Sequence, residues 1–163
     1  MIYSYITPSF FWIVAGMIFF ASCTTRSQFP ISDTAKDPIR YQIVEDARAA
    51  LGAKYGYGAS GNKRYDCSGL VYSIYTQYRI SLPRSTSQMA HSGQPIKKTE
   101  LQPGDLVFFK NHNTIDHVAI VSRISGNKTW LIHSTTSQGV VETHLEDSMY
   151  WAPRVVAYRS FIK

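Results

Sequence analysis

From Leu101 to the C-terminus, apolar residues alternate with polar ones, and this period of two constrains the fold more than any other feature of the chain. Such alternation is typical of strands with one buried face. Short turns such as Gly126-Asn127 separate the segments, and no helical crossover fits between them, which favours antiparallel pairing. We therefore expect a mostly antiparallel sheet of five to six strands, with strands at 105–110, 117–124, 129–134, 140–145 and 154–159.

The part of the chain before this region has helical periodicity instead. Asp37-Pro38 is typical of an N-cap followed by a first helical turn. Ser85 and Gln88 match the capping box of a short helix. Helices followed by strands around one core predict an α+β domain, with the helices packed on the sheet. The domain is expected over residues 38–163 and its helices over 38–51, 67–79 and 86–90.

Cys67 lies at the start of the second expected helix. Asp66 fits the N-cap, so Cys67 takes the first helical position. Unpaired backbone N–H groups and the positive end of the helix dipole favour the thiolate there, which makes a cysteine nucleophilic near neutral pH. A free cysteine is also a small apolar residue that is often buried, and on this segment alone the two interpretations are equally supported.

The N-terminal segment is typical of export. Its first 22 residues contain no charged side chain, and the apolar run from Phe10 has the length of a signal-peptide core rather than of a membrane span. It ends in Phe20-Ala21-Ser22-Cys23, which resembles the lipobox of bacterial lipoproteins, although no Lys or Arg precedes it. We expect a lipoprotein signal peptide over 1–22, a lipid on Cys23 and a tether over 23–37. An uncleaved anchor over 2–21 is the alternative.

Charge and cysteine content agree with a membrane-anchored protein of the cell envelope, facing the periplasm or the cell surface. The chain has 17 Lys and Arg against 11 Asp and Glu, without a basic run or an RNA-binding motif, so we expect no nucleic-acid partner. The net charge of +6 suits polyanionic surroundings such as anionic lipid or cell-wall polymer.

The chain has two cysteines, so a lipid on Cys23 leaves Cys67 as an unpaired, candidate reactive thiol.

Two histidines are candidates for the base that a thiol nucleophile needs. His117 opens an apolar strand and His133 ends the next one, so neighbouring strands can place them side by side, one as base and the other orienting it. Each taken alone can instead be a half-buried residue bound to a carbonyl. His91, His112 and His144 lie in polar or turn segments, where a structural role is expected. The sequence lacks HExxH and CxxC spacings, so we expect no metal site.

Five motifs in order make this chain resemble the NlpC-type cell-wall cysteine peptidases, a papain-like group. The resemblance spans residues 39–159, includes His133, and implies a papain-like fold. The motifs are Lys54-Tyr55-Gly56-Tyr57-Gly58, Asp66-Cys67-Ser68-Gly69-Leu70-Val71, Leu82-Pro83-Arg84, Leu101-Gln102-Pro103-Gly104-Asp105-Leu106-Val107-Phe108-Phe109 and His117-Val118-Ala119-Ile120-Val121.

The resemblance implies a role for each residue of the expected catalytic group. It makes Cys67 the nucleophile and His117 the general base. His133 takes the place of the third polar residue, which orients the imidazole.

Further positions match residues that surround the substrate in this family. Tyr55 matches a tyrosine that lines the site beside the thiol, and Asp66 and Ser68 match positions that hold the free amine and the peptide of the substrate. Arg84 matches a family arginine, although an exposed, solvated side chain is an equal interpretation. Ala119 departs from the family, which usually has glycine there, and it should be tolerated if the backbone keeps a negative φ.

The substrate implied by the resemblance is peptidoglycan. Relatives cut the bond between γ-D-glutamate and a diamino acid in the stem peptides, so we expect a peptidoglycan hydrolase that acts as a monomer without a cofactor. The alternatives are an N-acetylmuramoyl-L-alanine amidase, a lipid acyltransferase on the same scaffold, and a non-catalytic wall-binding lipoprotein.

Overall fold

The computed structural model describes Met1 and residues 37–163. The expected signal peptide, the lipidated Cys23 and the tether up to residue 36 lie outside the described residues. Within residues 37–163, no helix combines the length and the apolar character that crossing a membrane requires.

The first helix, α1, covers Pro38–Ala49. Asp37 caps it as expected, because its carboxylate accepts hydrogen bonds from the backbone N–H groups of Ile39 and Arg40. The buried residues of α1 are Ile43, Val44 and Ala47. Ile39, about one turn before Ile43, is apolar but exposed.

The segment between α1 and the next helix contains short strands that no period in the sequence predicts. Three two-residue strands form a small sheet there: β1 (Lys54–Tyr55), β2 (Ser60–Gly61) and β3 (Arg64–Tyr65). β3 pairs in parallel with β1 and antiparallel with β2. This small sheet brings Tyr55 back towards the start of the next helix.

Two further helices follow. α2 covers Cys67–Gln77 and α3 covers Thr86–Ala90, capped by Asp66 and Ser85 as expected. α2 ends two residues before the expected Arg79, which has a left-handed φ of 59° and so cannot continue the helix. Leu70, Val71, Ile74 and Tyr75 bury one face of α2 against the sheet.

The main sheet has six strands within the described residues, in the order β4-β9-β5-β6-β7-β8, with every neighbouring pair antiparallel. The prediction of an α+β fold with helices on a mostly antiparallel sheet is therefore confirmed. The short edge strand β4 was not predicted, because two residues carry no period. The strands are β4 (Gln94–Pro95), β5 (Leu106–Asn111), β6 (Thr114–Ser125), β7 (Lys128–Thr135), β8 (Gly139–His144) and β9 (Val155–Ser160).

Alternating side chains of the central strands belong to two apolar clusters, one on each face of the sheet. On β5, Leu106 and Phe108 face the helices, whereas Val107 and Phe109 face the opposite side, where Leu101, Leu145 and Trp151 pack. Ala119 belongs to this second cluster and lies opposite Val107 in the β5–β6 ladder. It is absent from the residues with positive φ, so the methyl group that replaces the family's glycine causes no backbone strain.

A buried ion pair joins α1 to the turn before β5. Arg40 Nη1 lies 2.8 Å from Asp105 Oδ1 and also donates to the carbonyl of Pro103. Gly104 takes the positive φ of 84° that the third position of a type II turn requires. The hydroxyl of Tyr75 on α2 donates to the Gly104 carbonyl, so both long helices are tied to this turn.

Candidate active site

The Cys67 thiol lies between the start of α2, the start of α3 and β6. Asp66 caps α2 through a hydrogen bond of 2.5 Å from the backbone N–H of Gly69 to Oδ1, so Cys67 is the first residue of the helix. The sulfur lies 3.5 Å from Thr86 Oγ1 on α3 and 3.6 Å from the backbone carbonyl of Asp116, which accepts from the thiol. The nucleophile candidate is thus next to the backbone of β6 immediately before His117.

His117 and His133 are brought together by the sheet. His117 Nε2 lies 2.8 Å from His133 Nδ1, and His133 Nε2 lies 2.9 Å from Thr143 Oγ1 on β8. His117 is half-buried, whereas His133 is only 1% exposed. Because Nε2 of His117 is used in the pair, its Nδ1 is the nitrogen left to act as a base.

Trp151 covers the histidine pair, and sequence reasoning missed it. Its ring stacks on His117 with centroids 4.4 Å apart and an interplanar angle of 24°. It meets His133 edge-on at 4.9 Å and packs against Phe109 at 5.1 Å. Trp151 lies in the connection between β8 and β9, where no hydrophobic period marks its position. The arrangement shields the hydrogen bond between the two imidazoles from water.

Burial controls the protonation of the three groups. It raises the pKa of the Cys67 thiol, and hydrogen bonds from the Thr86 hydroxyl and from the backbone at Val118 oppose that rise. Burial together with the neighbouring His133 lowers the pKa of His117 to about 3, and burial lowers that of His133 to about 4. The resting site therefore favours a neutral thiol beside a neutral imidazole. The sequence suggested a thiolate from the helix dipole alone, because burial cannot be read from the segment.

Arg84 does not behave as a solvated surface residue. Its guanidinium forms two hydrogen bonds with the Asp66 carboxylate, Nη1 to Oδ1 at 3.1 Å and Nη2 to Oδ2 at 2.8 Å. Nη1 also donates to Ser68 Oγ at 2.8 Å, and Nη2 donates to the Gly58 carbonyl at 3.0 Å. Burial would raise the pKa of Asp66, but the hydrogen bonds from Arg84 and the Gly69 N–H outweigh it and lower that pKa. Arg84 thus fastens the helix start to the preceding loop.

A glycine allows that loop to approach. A Cβ on Gly69 would lie 2.0 Å from the Ala59 carbonyl oxygen and 2.9 Å from Arg84 Nη2. The Asp66 N–H donates to the same Ala59 carbonyl at 2.9 Å. The spacing between the loop and the first turn of α2 therefore has no room for a side chain at position 69.

Tyr55 lies on β1 beside the candidate nucleophile. It is half-buried, and burial raises the pKa of its hydroxyl together with the nearby charges of Cys67 and Asp66. Tyr55 also lines an open, polar pocket of about 340 Å³ with Lys54 and the β7–β8 turn, residues 136–139. Cys67, His117 and His133 do not line this pocket, so Tyr55 is the residue that lies both in the pocket and near the thiol.

The other three histidines lie apart from this group. The ring of His91 contacts the Ser87 carbonyl at 2.7 Å, and His112 occupies the β5–β6 turn with a positive φ of 52°. His144 lies beside Asp147 and Glu146 and stacks on Trp130. Within residues 37–163, no group of three or more His, Cys, Asp or Glu side chains is arranged to hold a metal ion.

A family model described as the NlpC/P60 family matches residues 52–160, which include the cysteine, both histidines, Arg84 and Trp151. The chain belongs to the NlpC/P60 family. The relationship implied by the ordered motifs is thereby confirmed, and the papain-like fold with it.

Several curated NlpC/P60 relatives are similar over most of this chain. The gamma-DL-glutamyl hydrolase of Bacillus subtilis is 31% identical over 91% of the chain, which spans 36% of that protein. The Escherichia coli protein named "Probable endopeptidase NlpC" is 32% identical, with 85% of this chain and 90% of that protein covered. The murein DD-endopeptidase MepS/murein LD-carboxypeptidase of the same organism is 32% identical, with coverage of 71% and 60%. The chain thus spans about a third to nine tenths of the length of these relatives.

Solved NlpC/P60 structures have the same architecture. A family member from Bacillus cereus superposes with a TM-score of 0.68 at 25% identity, covering 76% of this chain and 40% of that one. A Staphylococcus aureus protein described as similar to a lipoprotein of the family superposes with a TM-score of 0.62 at 31% identity, covering 78% and 42%.

Proposed function

We propose that this protein is a cysteine peptidase of the cell wall that hydrolyses the bond between γ-D-glutamate and a diamino acid in peptidoglycan stem peptides. One observation carries the proposal. The thiol of Cys67 lies at the start of a helix and contacts the backbone carbonyl of Asp116 on β6. The next residue of that strand is His117, whose ring is hydrogen-bonded to His133.

The proposed reaction uses His117 first as a base and then as an acid. Its Nδ1 takes the proton of the Cys67 thiol, and the sulfur attacks the amide carbonyl to form a tetrahedral intermediate. Backbone N–H groups at the start of α2, with the Tyr55 hydroxyl, stabilise the oxyanion. His117 then returns the proton to the leaving amine, and the resulting thioester is hydrolysed by a water that His117 deprotonates.

The shifted pKa values support a proton transfer that is coupled to attack. A raised thiol pKa and a lowered imidazole pKa make a separated ion pair unfavourable before the substrate arrives. Substrate binding brings an electrophile to the sulfur, and the proton moves as the sulfur–carbon bond forms. The Nε2–H of the new imidazolium donates to His133, so the positive charge stays next to a neutral acceptor.

The substrate assignment is supported by a relative and by the residues around the thiol. The Bacillus subtilis relative is named for γ-glutamyl hydrolysis, and this chain is 31% identical to it. We propose that Tyr55, Asp66 and Ser68 contact the stem peptide. Arg84 already binds both Asp66 and Ser68, so the 13% of the Asp66 side chain that stays exposed is the part that can receive a substrate amine.

The decisive experiment incubates the full chain in detergent with purified peptidoglycan of the diaminopimelate and the lysine type, followed by mass spectrometry of the products. Fragments that end at γ-D-glutamate are expected, and the Cys67→Ala variant should release none of them. Whole stem peptides released from glycan would show an amidase instead. The proposal fails if the wild-type chain releases no fragment, or if Cys67→Ala releases the same fragments.

Cleavage of peptide crosslinks is the second candidate, because a relative 32% identical to this chain is named a murein DD-endopeptidase. The same spectra separate the two. Crosslink cleavage converts dimeric stems into monomers of full length, whereas γ-D-glutamyl cleavage shortens the monomers.

We further propose that the protein acts as a monomer anchored to a membrane through a lipid on Cys23. Replacement of Cys23 by Ala should move the protein from the membrane fraction to the soluble fraction and abolish incorporation of labelled fatty acid. Retention in the membrane without incorporated label would favour the uncleaved anchor instead.

A further inference from the structure

The hydrogen bonds that the Cys67 sulfur requires change when its proton leaves. In the thiol form, S–H donates to the carbonyl oxygen of Asp116 at 3.6 Å. In the thiolate form there is no proton to donate, and the same carbonyl presents the negative end of its dipole to the sulfur. A buried thiolate therefore needs hydrogen-bond donors from other sides, and the backbone at Val118 is one of them.

Thr86 supplies a hydroxyl beside the sulfur. Its Oγ1 lies 3.5 Å from Sγ, and the residue is only 7% exposed, so water competes little for the contact. With the thiol hydrogen given to Asp116, the Thr86 hydroxyl can donate to the sulfur in the resting state and to S⁻ after the proton has gone. Neither the motif analysis nor the proposed mechanism uses this residue.

The fold holds Thr86 in place from both sides. It is the first residue of α3, directly after the Ser85 cap, and α3 is fixed in the core by Met89. Arg84, two residues earlier, is bound to Asp66, which caps the helix that carries the nucleophile. The hydroxyl and the sulfur are therefore positioned by the same cluster of contacts.

We propose that Thr86 is a further catalytic residue, whose hydroxyl donates a hydrogen bond to the Cys67 thiolate as the nucleophile forms. The thiol proton goes to His117 Nδ1, the electron pair stays on sulfur, and Thr86 keeps its own proton. The hydrogen bond weakens as the sulfur–carbon bond forms and the charge leaves the sulfur. This role rests on the proposed function of Cys67 but is tested on the thiol itself.

Loss of the donor should reduce the thiolate fraction more than it raises the reactivity of each thiolate. If the thiol pKa rises by about one unit, the thiolate fraction at neutral pH falls about tenfold, while the nucleophilicity of the thiolate rises about threefold. Alkylation at pH 7 should then slow about threefold. The titratable and charged side chains that interact with the sulfur, Tyr55, Asp66 and Arg84, are all retained in such a variant.

The test measures iodoacetamide alkylation of Cys67 against pH in the full chain, read by mass spectrometry of the Cys67 peptide so that Cys23 does not interfere. The isosteric Thr86→Val should move the midpoint of the curve of alkylation rate against pH about one unit higher. In Thr86→Ser the midpoint should stay near the wild-type value. Thr129→Val is the matched control, because Thr129 is also buried and its hydroxyl binds Glu146 on the other side of the sheet.

Several results would overturn the proposal. A folded Thr86→Val variant with the wild-type midpoint would do so, as would an equal shift in Thr86→Ser or in Thr129→Val. If Thr86→Val does not fold by circular dichroism, Thr86→Ala provides the same loss of the hydroxyl without the added methyl. Because alkylation needs no peptidoglycan, a failure of the proposed hydrolysis leaves this result interpretable.

Discussion

His117 Nε2 lies 2.8 Å from His133 Nδ1, so one of the two rings must donate to the other. In the proposed reaction His117 acts as a base and becomes an imidazolium with protons on both nitrogens, so its Nε2–H can then only donate. His133 must therefore accept at Nδ1 and carry its proton on Nε2, where the Thr143 hydroxyl oxygen accepts it. This polarity leaves Nδ1 of His117 with the lone pair that can take a proton.

The first prediction follows from that polarity. His133→Ala removes the acceptor and should lower kcat/KM about a hundredfold, within the range that a positioned general base contributes. His133→Asn places an amide oxygen near the position of Nδ1 and should recover most of that loss. Steady-state kinetics on a stem peptide would measure both. Equal activities of the two variants would contradict an accepting role for His133.

Stability should decrease as the pH falls from neutral. The pKa values of His117 and His133 are lowered to about 3 and about 4 in the fold, against 6.5 without burial. Below pH 6.5 the unfolded chain therefore binds more protons than the folded chain, so the free energy of unfolding falls by about 1.4 kcal/mol per pH unit for each histidine. The fall ends only below the folded values, where both states are protonated.

Urea unfolding between pH 7.5 and 4.5 measures this dependence. His133→Asn removes one of the two titrating groups and should make the slope shallower by about 1.4 kcal/mol per pH unit. An unchanged slope in that variant would show that the histidine pair does not control acid stability.

Gly69 should tolerate no side chain. Its Cβ would lie 2.0 Å from the Ala59 carbonyl, so Gly69→Ala must push the loop away from the start of α2. We expect a loss of about 1–3 kcal/mol in the free energy of unfolding, together with most of the activity. Gly61→Ala is the control, because nothing lies within 4 Å of its Cβ position. A Gly69→Ala variant as stable as Gly61→Ala would contradict the close approach.

Trp151 should protect the imidazole pair from water. Trp151→Ala opens the face on which the indole stacks, so solvent can compete for the hydrogen bond between the rings, and kcat/KM should fall about tenfold. Solvent entry also raises the pKa of His117 from about 3 towards its ordinary value. In a plot of kcat/KM against pH, the acid limb should therefore move to higher pH. Trp151→Phe keeps an aromatic cover, and a limb displaced equally in both variants would argue against shielding.

Much of the fold was predictable because its signals are local. Asp37 and Asp66 cap helices through hydrogen bonds to residues two or three positions away, and the alternation after Leu101 reflects the two faces of one sheet. The strands β1 to β3 were missed since two residues cannot establish a period.

The candidate site was predictable where a motif or a strand pattern marked its residues, as with the pairing of His117 and His133. The partners of Arg84 lie 16 to 26 positions away, so its ion pair depends on how the loop and two helices meet. Trp151 and Thr86 belong to no pattern, and each acquires its place through packing. The neutral resting state of the thiol and the imidazole follows from burial, which the segment around Cys67 does not reveal.

The proposed nucleophile and the proposed base belong to different layers of the molecule. Cys67 is carried by α2, and His117 by β6 of the sheet on which α2 packs. The Tyr75–Gly104 hydrogen bond and the Arg40–Asp105 pair join the two long helices to the same turn, so they set the spacing between the layers. Mild heating that loosens this attachment should therefore separate sulfur from nitrogen while the sheet is still intact, and inactivation should precede the loss of secondary structure.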